Sequence, residues 1–253
     1  ESNDAAEILK KYLNKTPLVF SIKAKDDSTL SKIFLEINPS KIKEENTFLI
    51  ESNHQDIHLV ASNQKLLRYA VYTLLEFWGF RKFTAHSEYV PETTILSYPK
   101  NSKKIHKPSF EYRTLFYPDA FDEDFRDWHK LDWHLNDFGI WGHSFDQLLP
   151  SKENFSNHPE FYALYEGKRR TESLCMTNDT VVNLISEKMN TIIAKTPNAQ
   201  FYSISQNDDV IYCECDECFK TNNAFGGPQG SLYQFLNKIA KRFPDTKITT
   251  LAY

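Results

Sequence analysis

An α/β fold is predicted by three features of this chain. Short runs of branched and aromatic residues alternate with amphipathic helical patterns through the second half; a capped helical stripe lies among short strands in the first half; and a cysteine-dense loop directly follows one strand. A strand-helix-strand-helix rhythm is the signature of a parallel sheet, which places chemistry at the carboxyl ends of its strands.

Residues 1–100 read as a small α/β sandwich domain. Strands are expected at 18–22, 33–37, 47–52 and 57–61, each short, rich in branched or aromatic residues and bounded by turn formers. A strong helix follows, with Asn63 as N-cap, Leu66, Leu67, Ala70, Val71, Leu74, Leu75 and Trp78 on one stripe, and Gly79 as its stop. The pattern predicts an antiparallel sheet backed by helices. Pro91, Pro99 and the polar run 100–104 mark a boundary.

From 105 to 253 the elements alternate. Residues 110–117 are expected to form a strand, and Phe125, Trp128, Leu131, Leu135 and Phe138 recur at helical spacing until Gly139. A strand at 140–145 follows, then a helix from Asp179 carrying Val181, Val182, Leu184, Ile185, Met189, Ile192 and Ile193. After a strand at 201–205, a helix from Ser231 shows Leu232, Phe235, Leu236, Ile239 and Ala240 before Pro244, and 247–253 is the last strand. Four βα repeats are half of a (β/α)8 TIM-type barrel. With no helix after the last strand, the expectation is that only the first half of such a barrel is present; a complete doubly wound sheet is the alternative.

At 253 residues the chain can bury a sizeable core without staples, so its cysteines are not needed for bulk stability. The net charge of −4 is spread over stretches of both signs, which argues against a nucleic-acid partner. Aromatics reach 14%, a composition that suits sugar-ring stacking but that core packing also explains. No apolar run approaches the ~20 residues of a membrane span. The polar start at Glu1 fits either a cytosolic terminus or a trimmed secretion signal.

If the strands share one mouth, polar groups far apart in sequence converge there. The first strand contributes Arg113 and Asp119, the second Trp141 and His143, the third Asn207 and Asp208, and the fourth Tyr253. Arg and Asp bind adjacent hydroxyls, Trp stacks on a ring, and Asp208 is the candidate catalytic carboxylate, acting on a leaving oxygen or an acetamido group. Each also has a structural reading: His143 as a satisfied histidine beside aromatics, Arg113 as an internal ion-pair partner, and Asp208 and Asp209 as turn-forming side chains.

Cys175, Cys213, Cys215 and Cys218 give the ligand count of a zinc-thiolate site. Disulfides, for example Cys175 with Cys213 and Cys215 with Cys218, are the competing reading. Either would pin the loop carrying Asp208, since a zinc held by four thiolates has no open position; a redox role is disfavoured because the motif opens no thioredoxin-like helix. The run His158-Pro159-Glu160-Phe161-Tyr162, with Gly167-Lys168-Arg169, suits a cleft rim or a packing loop. The glycine-rich 225–230 lacks the Lys-Ser/Thr of a phosphate loop.

Taken together, Trp141-Gly142-His143-Ser144-Phe145, the His158 run, Leu174-Cys175, Ser203-Ile204-Ser205-Gln206-Asn207-Asp208, the CxCxxC segment and Thr250-Leu251-Ala252-Tyr253 resemble the domain of unknown function 4838 group (DUF4838) across 105–253. That group includes glycoside hydrolase family 163, endo-acting β-N-acetylglucosaminidases on complex N-glycans, largely from gut Bacteroides-type bacteria. Residues 17–99 are similar to the small domain preceding the barrel in family 20 hexosaminidases and α-glucuronidases. The resemblance implies a secreted, periplasmic or outer-surface glycosidase acting on an oligosaccharide or glycoprotein glycan by a substrate-assisted retaining mechanism. It implies no cofactor requirement for catalysis and a barrel continuing past Tyr253. Asp208 would be the orienting or acid group, with Arg113 and His143 on hydroxyls; the adjacent Asp-Glu pair of family 20 is not present, since Asp209 follows Asp208. A non-catalytic glycan-binding surface protein and a zinc-stabilised interaction module are the competing functional readings.

Overall fold

A computed structural model describes residues 4–20 and 30–251, which form two compact units, Glu1–Asp132 and Trp133–Tyr253. Each is treated separately. Both are mixed α/β.

The first unit begins with α1 (Asp4–Leu13) and then builds a four-stranded sheet from β1 (Ile33–Ile37), β2 (Phe48–Ser52), β3 (Ile57–Ala61) and β6 (Lys103–His106), in the order β1-β3-β2-β6. Its helix α2 (Gln64–Phe77) starts at Asn63, whose side chain accepts from the Leu66 N–H at 3.0 Å, and stops at Gly79, whose φ of 95° favours glycine. A two-stranded ribbon, β4 (Arg81–Lys82) with β5 (Glu88–Tyr89), follows. A one-turn 3-10 segment (Pro118–Phe121) and α3 (Glu123–Trp128) close the unit.

Four expectations change here. The sheet is mixed rather than antiparallel, because β3 inserts between β1 and β2 and pairs parallel with β1, Ile33 opposite Ile57. The 110–117 run is not a strand: Asp132 captures its backbone instead, accepting from the Arg113 N–H at 2.9 Å while the Asp132 N–H donates to the Arg113 carbonyl at 2.6 Å. The first unit extends past the 100–105 boundary, since β6 adds to its sheet and Trp128 enters its core beside Tyr12 and Tyr72, at 5.2 and 5.3 Å between ring centres. The strand expected at 18–22 lies partly outside the described residues, and Leu18–Phe20 carry no regular structure.

The second unit opens with α4 (His134–Asp137) and β7 (Phe138–Ile140), so the helix expected over 125–138 is broken in two, with Lys130 between the pieces at a φ of 56°. Two short helices follow, α5 (Phe145–Leu148) and α6 (Ser151–Asn154), and the strand expected over 140–145 ends early at Ile140. A one-turn segment (Pro159–Phe161) leads into an antiparallel hairpin, β8 (Tyr162–Tyr165) and β9 (Lys168–Leu174), which the expected loop concealed. Then come α7 (Asp179–Lys195), β10 (Phe201–Ser203), α8 (Asp216–Ala224), α9 (Gly230–Ala240) and β11 (Lys247–Thr249).

Strands β7, β10 and β11 form one parallel sheet with β10 in the centre. The predicted stripes of α7 and α9 pack on it: Val181, Val182, Ile185, Met189, Leu232, Phe235 and Ile239 share a core with Ile140, Phe145, Tyr202 and Ile204. Burying each such side chain stabilises the unit by roughly 1.5–3 kcal/mol. Among the described residues, no helix is long and apolar enough to cross a membrane.

Candidate functional site

The carboxyl ends of the three parallel strands are tied together by buried serines. Ser144 and Ser205 have no exposed surface, and Ser203 is buried beside them. The Ser144 hydroxyl accepts from the Ser205 N–H at 2.9 Å, while Ser144 N–H donates back to the Ser205 carbonyl at 3.1 Å. Ser203 Oγ donates to the Gly142 carbonyl at 2.7 Å and lies 2.7 Å from Ser205 Oγ, which accepts from the Leu251 N–H at 3.0 Å. Groups that would be costly to bury alone thus join the segments after β7, β10 and β11. Sequence reading places these serines within its motifs but gives none of them a role.

On this frame sit the acidic and imidazole groups. His143 Nδ1 is 2.7 Å from the Gln206 carbonyl, and because a carbonyl only accepts, Nδ1 carries the donated proton. Asn207 donates from Nδ2 to the Glu172 carbonyl at 2.6 Å, tying the loop after β10 to strand β9. Asp208 is exposed. Asp209 accepts from the Ile211 N–H at 2.8 Å, yet its carboxyl is held above the usual range, first by burial and then by the Glu172 and Asp208 carboxylates, with the Ile211 N–H and His143 opposing. His143, Glu172, Asp208 and Asp209 therefore share one electrostatic environment. Glu172 escaped sequence reading because it lies on a hairpin strand rather than at the tip of a parallel one.

Trp141 follows β7, 37% exposed, with its ring stacked on His134 at 4.5 Å and edge-on to Phe138 at 4.7 Å. Arg113 and Asp119 belong to the first unit, where both have local partners. Arg113 donates from Nε to the Lys130 carbonyl at 2.9 Å and from Nη1 to the Phe110 carbonyl at 2.8 Å, with Asp132 3.9 Å from Nη2. Asp119 accepts from the Ala85 N–H at 2.7 Å. Tyr253 lies outside the described residues.

The cysteines converge from three segments: Cys175 just after β9, Cys213 and Cys215 on the loop after β10, and Cys218 in the first turn of α8. All four are free thiols, and their sulfurs lie within 4.8 Å of one another. Cys175 Sγ is 3.7 Å from Cys215 Sγ and 3.9 Å from Cys218 Sγ. Hydrogen bonds from Cys213 and then Cys218 pull the Cys175 thiol down, and the same contact with Cys175 pushes Cys213 and Cys218 up. Four thiolates at this spacing would require a cation to balance their charge. The donor set and spacing fit a tetrahedral soft-ligand site.

The two remaining motifs are structural here. His158 pairs with Glu160 at 3.1 Å and stacks on Phe161, and Arg169 donates to the Tyr162 carbonyl at 2.7 Å. The glycine-rich segment joins α8 to α9 and, with Tyr233, lines a depression of about 270 Å³ that shares no lining residue with the Asp208 loop.

A model of the family described as domain of unknown function (DUF4838) matches residues 82–253, more than half of the chain. No curated protein matches. Among solved structures, a GH138 enzyme targeting pectin rhamnogalacturonan II aligns with 97% of this chain at 12% identity and a TM-score of 0.34, and the chain spans 36% of that structure's length.

Proposed function

Starting from the premise that this chain belongs to the DUF4838 family, we propose that it is part of a glycoside hydrolase acting on N-acetylglucosamine-containing glycans. The observation that carries the proposal is the acidic loop after β10: Asp208 exposed, Asp209 with its carboxyl raised by burial and by the neighbouring carboxylates, and His143 locked to the Gln206 carbonyl beside them. A perturbed carboxyl beside a second, exposed one at the carboxyl end of a parallel strand is an arrangement expected of acid-base chemistry. The resemblance to glycoside hydrolase family 163 narrows the reaction to endo-β-N-acetylglucosaminidase cleavage of complex N-glycans.

In the substrate-assisted route, the acetamido oxygen of the substrate bonds to the anomeric carbon as the glycosidic bond breaks. The leaving oxygen takes a proton from a carboxylic acid, and water then opens the cyclic intermediate with retention. Asp208 orients the acetamido group. Asp209, with Oδ1 engaged by the Ile211 N–H, is the neighbouring carboxyl that would serve as the acid. Trp141 offers its exposed face to a sugar ring, with His143 and Asn207 on hydroxyls. The parallel strands β7, β10 and β11 lie side by side in the order the chain visits them, with the β8–β9 hairpin inserted between the first two, which suits an arc of a (β/α)8 barrel carrying an insertion. An enzyme of this specificity meets its glycoprotein substrate outside the cytoplasm, at the periplasm or outer surface.

The test is incubation of the full native chain with a biantennary N-glycoprotein. Oligosaccharide release that falls at least about 100-fold in Asp208→Asn is the expected result. Binding without release, unchanged by that substitution, would leave a glycan-binding protein and end the catalytic reading.

A further inference from the structure

We infer that Cys175, Cys213, Cys215 and Cys218 hold one zinc(II) ion, and that this ion clamps the loop bearing Asp208 to the β8–β9 hairpin and to helix α8. Zinc-thiolate bonds of about 2.3 Å in a tetrahedron place the sulfurs about 3.8 Å apart. The Cys175 separations of 3.7 and 3.9 Å match that edge, and all four sulfurs stay within 4.8 Å of one another. A disulfide would bring a pair to about 2.05 Å. An iron–sulfur cluster interposes several irons and bridging sulfides and needs a wider cage.

The surroundings are those of a ligand shell. The Leu164 N–H donates to Cys213 Sγ at 3.3 Å, and Thr177 Oγ1 is 3.1 Å from Cys218 Sγ; such outer contacts orient thiolates and temper their charge. Cys175, Cys213 and Cys218 are buried and Cys215 is half-buried, so the ion would be largely shielded from water. With four thiolates it has no open position, and its role is to hold structure.

What it holds is specific. The loop from Gln206 to Cys215 already docks on the hairpin through the Glu214 N–H to the Leu164 carbonyl at 2.6 Å and the Glu166 N–H to Glu214 Oε2 at 2.7 Å. Metal ligation adds ties from Cys175, one residue beyond β9, and from α8. The inference does not depend on the glycosidase reading, since a loop clamped by zinc serves a binding protein equally.

The experiment is elemental analysis and thiol alkylation of the full native chain purified without chelators. About one zinc per chain is expected, with all four thiols protected until a strong chelator removes the metal. Cobalt(II) exchanged into the site should show thiolate-to-metal charge transfer and the visible bands of a tetrahedral ion. In Cys215→Ser, stoichiometric zinc should be lost and amide exchange over 206–215 should quicken, while α7 keeps its protection. Should that variant not fold, native-state exchange of the unmodified protein before and after chelation gives the same readout. Two disulfides, four reactive thiols without metal, iron in place of zinc, or loop exchange indifferent to chelation would each overturn the inference.

Discussion

His143 donates from Nδ1 to the main-chain oxygen of Gln206 at 2.7 Å, joining the loop after β7 to the loop after β10 at the point where the acidic residues begin. The bond fixes the ring tautomer and the Gln206 backbone together. In His143→Asn, the amide nitrogen stands in for Nδ1 and the loop keeps its register. In His143→Ala both the donor and Nε2 are lost. Amide exchange at Asn207–Asp209 is therefore expected to quicken in the alanine variant and to stay slow in the asparagine variant, whereas on the proposed glycosidase reading glycan release should fall in both. Equal exchange in the two variants would show that the bond does not order the loop.

Asp209 gives a pH signature whose sign follows from its raised carboxyl. The folded chain binds this proton more tightly than the unfolded one. The favourable contribution is present below the unfolded value of about 3.9 and is lost as pH rises through the elevated folded value. At neutral pH the ionised group therefore costs stability. Asp209→Asn keeps an oxygen for the Ile211 N–H and removes the charge, so its melting temperature should exceed that of the parent at pH 7, with the difference vanishing below pH about 4. Glu172→Gln removes one of the charges that raise Asp209, so the Asp209 titration followed by carboxyl NMR should move to lower pH.

Helices α2, α7 and α9 and strands β10 and β11 were legible because their signals are local. Asn63, Gly79 and the apolar stripes of α2, α7 and α9 each dictate one outcome, and the core they form is the one those stripes describe. The β8–β9 hairpin was hidden by its chemistry. Lys168, Arg169 and Arg170 mask a strand, although the two-residue turn at Glu166 and Gly167, with φ of 49° and 73°, carries a hairpin signal. The 110–117 run misled in the opposite sense, since its apolar residues read as a strand while a distant side chain, Asp132, supplies its backbone partner. Periodicity cannot report a tertiary capture of that kind. The same limit hid Glu172 and the three serines, whose partners lie up to 61 residues away in sequence.

Ser205→Ala tests whether the serine frame holds the site. Its hydroxyl accepts from Leu251 and lies against Ser203 in a fully buried position, so truncation leaves the Leu251 N–H without that acceptor. A cost of about 1–3 kcal/mol is expected from urea unfolding. Ser205→Cys, nearly isosteric but a weaker acceptor, should lie between the two; stability unchanged in both variants would show that the frame is dispensable.

Gly139, in the middle of β7, sets how closely the chain can approach the aromatic core beneath the sheet. A β-carbon there would collide with the Cε1–Cδ1 edge of the Tyr202 ring and stand 2.7 Å from Thr196 Oγ1. The ring cannot swing aside cheaply, because Tyr202 is buried and its hydroxyl donates to the Thr196 carbonyl at 3.0 Å. Gly139→Ala should therefore destabilise the fold by about 1–3 kcal/mol, as overpacked cores do. Tyr202→Leu alone should also destabilise, through the lost ring and the lost hydrogen bond. Combined, the two changes should cost less than their sum, because the smaller side chain vacates the space that the new methyl needs. Additive costs in thermal or denaturant unfolding of the four chains would mean that the Gly139 backbone moves away from Tyr202 instead, and that the approach of β7 to the core is not set by this contact.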